Sequence, residues 1–183
     1  MDKLFAFHFV GDTLRDGRPI PPDGVWLEHV GPIAMCESGL HASIEPFDAL
    51  GYAPGATLCY VEVSGDIEHQ TDKLVARRRR IISRIDATDL LSAFAREQAL
   101  SVIHLWDAPT IVYQYLKTGD VSIRSAAESA AWSAARSAAR SAARSAARSA
   151  AWSAAESAAW SAAWSAARST LNGRIYRAMN IEK

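Results

Sequence analysis

The densest run of chemically useful side chains lies between residues 36 and 80. Cys36-Glu37-Ser38-Gly39-Leu40-His41-Ala42-Ser43 puts a thiol, a carboxylate, an imidazole and two hydroxyls in one short segment, and Tyr52, Glu62, Lys73 and Arg77-Arg78-Arg79-Arg80 follow. Two kinds of chemistry are open to them. His41 titrates in the range of a general base and Glu62 could orient a nucleophile, which would be group transfer. Cys36, Glu37, His41, Ser43, Tyr52, Lys73, Arg77 and Arg79 would instead hold a ligand, with the cations suited to a phosphate. Plainer readings stand beside both. A lone histidine is more often a hydrogen-bonded turn or core residue, and four arginines in a row more often guard an edge strand against aggregation. In an alternating strand Arg77 and Arg79 face one side and Arg78 and Arg80 the other, so at most one pair lines a common pocket. Cys36 and Cys59 are too few for a disulfide framework. With His41 and His69 they lack the paired spacing of a metal site, so neither metal nor cofactor is expected.

A second pattern lies downstream. From Ser125 to Arg168 the chain repeats Ser-Ala-Ala-X eleven times, with X being Glu128, Trp132, Arg136, Arg140, Arg144, Arg148, Trp152, Glu156, Trp160, Trp164 and Arg168. Alanine is the best helix former and no Gly or Pro interrupts, so the pattern predicts one continuous helix about 66 Å long. Each repeat advances the X position by about 40°, which winds a column with the arginines on one side and most tryptophans on the other. Four tryptophans on such a rod must be covered, and a second copy of the rod is the expected cover. Arg136 to Arg148 also make a basic stripe that could follow phosphates without reading bases, or dock on an acidic surface of the same chain. A solvated alanine-rich helix is the plainer reading of the repeat.

The elements that must position these groups are legible in outline. Leu4 to Val10 is an apolar run with alternating aromatics, a buried strand. Val25 to Leu27, Pro32 to Met35, Thr57 to Val63 and a stretch between Leu74 and Ile85 read as further strands. Ser64-Gly65-Asp66 reads as a turn, and Glu45 to Leu50 as a short helix. Asp86, Thr88 and Asp89 are helix caps, a second helix starts at Asp107-Ala108-Pro109, and Gly119 stops it. The expected fold class is α+β, a small mixed or antiparallel sheet head followed by helices and the long repeat helix. Its domains are a head over 1–85, a two-helix connector over 86–119, the repeat helix over 120–170 and a short amphipathic helix over 171–183. The chain has 183 residues and a formal charge of zero, but that neutrality joins a head of net −5 through Arg124 to a segment of net +5. No run of 18 or more apolar residues occurs, nor a signal-peptide pattern, so a cytoplasmic protein without a membrane span is expected.

The 36–43 segment, with Asp72-Lys73, Arg77 to Arg80, His104-Leu105-Trp106-Asp107-Ala108-Pro109 and the repeat, resembles an uncharacterised family of phage and bacterial proteins. These share a C-E-x-G-x-H-A type segment and alanine-rich tails punctuated by Trp and Arg, and some are labelled immunity proteins. The resemblance implies a phage setting, a host cytoplasm and a domain-plus-tail design. A second likeness is to ADP-ribosyltransferase folds, in the order His8, Gly39 to Ser43, Pro46 to Tyr52 and Thr57 to Val63; it implies a nicotinamide cleft with His41 and Glu62 as the catalytic candidates. The expectation is a phage-encoded accessory protein that acts by binding, more so than an enzyme. It would oligomerise through Trp132, Arg136, Arg140, Arg144, Arg148, Trp152, Trp160 and Trp164 and engage a host defence protein or a small nucleotide. An ADP-ribosyltransferase-like enzyme, a nucleotide-sequestering head and non-specific nucleic-acid binding through the arginine stripe are the alternatives.

Overall fold

The computed structural model describes residues 4–145 and 153–182. They divide into two compact units, one of 1–88 with 168–183 and one of 89–167.

The first unit is α+β. Its strands are β1 (Leu4–Val10), β2 (Trp26–Glu28), β3 (Leu40–Ala42), β4 (Thr57–His69) and β5 (Leu74–Asp86), with a short helix α1 (Pro46–Leu50). All pairings are antiparallel, in the order β1-β4-β5-β2, with β3 also on β5. Just past β3, Phe7 and Ser43 exchange both backbone hydrogen bonds, at 2.7 and 2.9 Å. The path β1-β4-β5-β3 therefore returns to β1, and its core includes Ala6, Val10, Ala42, Val61, Val63 and Leu74.

β4 runs through Ser64-Gly65-Asp66, expected as a turn, by way of a bulge: the register slips between Ser64 and Ile67. Gly65 permits it. Its φ is +82°, and a Cβ there would sit 3.1 Å from the Arg77 Cβ. Pro32 to Met35, expected as a strand, is a turn instead, because Ala34 bridges back to Ser38 and the Ser38 hydroxyl donates to the Pro32 carbonyl at 2.9 Å. β5 is not the charged edge strand expected of the four arginines. It pairs with β4 on one side and with β2 and β3 on the other.

The last turns of α5 (Ser153–Ala178) complete this unit. Leu171 and Ile175 are fully buried, and the Phe7 ring meets Tyr60 at 5.3 Å and the edge of Tyr176 at 5.5 Å. Polar bonds fix the docking angle. Asn172 accepts the Phe47 N–H at 2.7 Å and donates to Glu45 at 2.9 Å, the Tyr176 hydroxyl donates to Glu45 at 2.8 Å, and Arg168 pairs with Asp48. Residues 171–178 thus continue α5 with no separate helix.

At the end of the first unit's leading segment the Asp86 carboxylate accepts the Thr88 N–H where α2 (Thr88–Ser101) begins, and the second unit follows from Asp89. α3 (Thr110–Thr118) starts later than expected, because Pro109 holds extended geometry as its cap and leaves Asp107 outside; Gly119 ends it. Asp120 accepts the Ser122 N–H, and α4 (Arg124–Ser145) follows and packs on α3 with Ala127 buried. The single helix expected over 120–170 is described as the 22 residues of α4 and the 26 of α5. Residues 146–152 lie outside the described residues.

Candidate functional site

Geometry draws four of the expected ligand-binding residues together around the end of β3. Cys36 takes φ +67°, and its N–H donates to His41 Nε2 at 3.0 Å. The imidazole is therefore neutral with its proton on Nδ1, facing the Gly39 backbone. Gly39 is needed for that turn: its φ is +107°, and a Cβ would come within 2.5 Å of Val75 Cγ2. Lys73 Nζ donates to the Tyr52 hydroxyl at 3.3 Å, stands 4.7 Å above the Tyr52 ring and bonds Cys36; those hydrogen bonds hold its ammonium above the ordinary lysine value. Tyr52 in turn donates to Asp72 at 2.5 Å, which lowers the Asp72 carboxyl.

Arg79 lies behind this group. It is 5% exposed and donates to the His41 carbonyl. Burial pulls its guanidinium down to about 10. His8 is set across from Cys59, where burial, then Arg79, then His41 hold it well below the usual histidine value. Burial also lowers His41, with Arg79, Lys73 and Arg15 adding to the effect and the Gly39 bond opposing it.

The other expected residues stand apart. Arg77 bonds Asp66 at 2.7 Å and the Gly31 carbonyl at 2.7 Å. Ser43 is buried with its backbone on Phe7, and Glu37 is exposed in the 34–38 turn. Glu62, the other catalytic candidate, is buried and receives two bonds from Arg80, at 2.6 and 2.9 Å. It belongs to a ladder in which Phe5, Glu62, Arg80 and Trp26 are successive cross-strand partners, and Arg78 and Arg80 lie 4.7 and 4.8 Å from the Trp26 ring. Of the repeat residues, Trp132 and Trp164 are 68% and 63% exposed and Arg136 is exposed. Arg148 and Trp152, and the side chains of Arg140, Arg144 and Trp160, lie outside the described residues.

Sequence reasoning left Asp72, Arg15, His8, Asp48 and Arg168 out of the ligand set. Asp72 had a signal, being next to Lys73; His8 is placed only by the pairing of β1 with β4, and Arg168 meets Asp48 only through the return of α5. Among the described residues no three His, Cys, Asp or Glu side chains form a metal-ligating group, and no helix is long and apolar enough to cross a membrane.

Residues 5–93 match a family described as a domain of unknown function, DUF7666. The match runs from β1 into α2 and stops short of the repeat, and over that span the chain is similar to an uncharacterised family. No curated protein and no solved structure matches the chain.

Proposed function

We propose that this chain acts by binding: its alanine-rich helices associate with those of a second copy, and its head engages a host protein or a small nucleotide, in the phage setting and host cytoplasm that the resemblance implies. The observation that carries the reading is Trp132, 68% exposed on a helix whose other residues are mostly Ser and Ala. An indole of that size in water, on a surface smooth enough for close helix approach, gains most when another helix covers it. Binding is favoured over transfer chemistry because the two catalytic candidates are already engaged. His41 Nε2 holds the Cys36 N–H and Glu62 holds Arg80.

Light scattering on the full chain after size-exclusion chromatography tests the association. A mass of two or more chains is expected, with Trp132→Ala shifting it toward one. A single-chain mass for the parent, with tryptophan emission at the solvent-exposed wavelength, would end this proposal.

A further inference from the structure

The His104 to Pro109 segment, singled out by its sequence, lies in the second unit and outside the head. It forms one wall of a cleft of about 330 Å³ lined by Ile103, Trp106, Ala108, Thr110 and Tyr113, a volume in the range of small-ligand pockets. Short-range bonds set that wall. The Leu105 N–H donates to the Val102 carbonyl and the Ala108 N–H to the Trp106 carbonyl, both at 3.0 Å, and Pro109, at φ −54°, accepts the Val112 N–H at 2.9 Å where α3 begins. Closed turns thus join the backbone that carries Trp106 to the helix that carries Tyr113, so the cleft is formed before a ligand enters. Its lining is aromatic and uncharged. Trp106 and Tyr113 are 36% and 45% exposed, although rings of that size gain from being covered. The lining residues also carry three polar groups: the Trp106 indole N–H, a donor, and the Thr110 and Tyr113 hydroxyls, each donor or acceptor. None of the three makes a hydrogen bond among the described residues. Lys117, one turn along α3, lies 6.0 Å from the Tyr113 ring centre and does not line the cleft. A hydrocarbon ligand would strand those polar groups away from water, and a phosphate would find no cation in the lining. A flat ring with donors and acceptors on its edge suits both the aromatic walls and the polar groups.

We propose that this cleft binds a neutral, planar heteroaromatic ring of the nucleobase type. The ring stacks on Trp106 and Tyr113, and its edge bonds the Trp106 N–H and the Thr110 and Tyr113 hydroxyls. A phosphate carried by the ligand stays outside and adds nothing to affinity. The site is additional to the binding proposed for the head and independent of association through the alanine-rich helices.

Saturation-transfer NMR on the full chain tests it, with adenosine, AMP and cyclohexanol as probes. Saturable transfer is expected onto adenosine, strongest on the protons of the base, with the same affinity for AMP and none for cyclohexanol. Trp106→Ala and Tyr113→Ala should each weaken adenosine binding about tenfold, and Thr110→Val about threefold. Both rings are partly exposed, so the helical circular dichroism and melting midpoint of these variants should match the parent. No transfer to adenosine, binding that survives the double variant Trp106→Ala/Tyr113→Ala, or cyclohexanol bound as well as adenosine overturns the site. AMP bound far more tightly than adenosine would place recognition at a phosphate and overturn it too. Adenosine binding by a chain of single-chain mass would end the association reading and leave this site standing.

Discussion

The 36–41 turn is held by backbone conformation as much as by side chains. Two left-handed residues, Cys36 and Gly39, bring the Cys36 N–H onto the His41 ring, and only glycine fits at 39 because Val75 occupies the space of a Cβ. Gly39→Ala is expected to lower stability by about 2 kcal/mol or more, measured by urea unfolding. His8 and His41 make a second prediction. Both are lowered in the folded chain, so the unfolded chain takes up protons first, at the ordinary value of 6.5. Their contribution is fully present above that value and is lost as the pH falls from it toward the depressed folded values. The melting midpoint should therefore drop between about pH 7 and 5.5, and His8→Asn should flatten part of that slope. A midpoint constant across that window would mean that both rings ionise normally.

The end of α5 acts as an element of the head. Its apolar residues Leu171 and Ile175 are buried, while Asn172 and Tyr176 converge on Glu45 and Arg168 on Asp48. Burial pushes the Tyr176 hydroxyl up, so it stays a donor, and burial raises the Asp48 carboxyl while Arg168 opposes it. Leu171→Ala leaves a cavity and is expected to cost about 2–5 kcal/mol. Asn172→Ala orphans the Phe47 N–H and should cost about 1–3 kcal/mol. Denaturant midpoints read by far-UV and near-UV circular dichroism check both; an unchanged near-UV midpoint for Leu171→Ala would show that α5 is not part of the cooperative core.

At the scale of the whole chain, the first unit is discontinuous in sequence and the second lies between its parts. A chain ended at Ala167 loses the helix turns that cover Phe7 and leaves Glu45 without Asn172 and Tyr176. Such a chain should lose the cooperative melting of its sheet, as read by tryptophan and near-UV signals, yet keep much of the helical signal of residues 89–145 and 153–167. Retention of the parent melting curve by that truncation would remove α5 from the head.

Much was legible without coordinates because it depends on local periodicity. The run at 4–10, the alternation at 57–63, the stop at Gly119 and the helix-forming Ser-Ala-Ala repeats each carry their own pattern in neighbouring residues. The α+β class and the opposite facing of Arg79 and Arg80 follow from the same rule of period two. What local pattern could not supply was decided by pairing between distant segments. β3 has only three residues and no pattern of its own, and Ser64 to Asp66 reads as a turn until β5 is laid beside it. The arginine run looks like a guarded edge until partners appear on both sides of β5. Which of those arginines is left without a carboxylate depends on where Glu28 falls on β2 and Glu62 and Asp66 on β4. Composition and spacing thus determine which segments become strands and helices, because those are contests between neighbours. The tertiary structure alone decides which charges are buried together, because burial is settled by residues far apart in the chain.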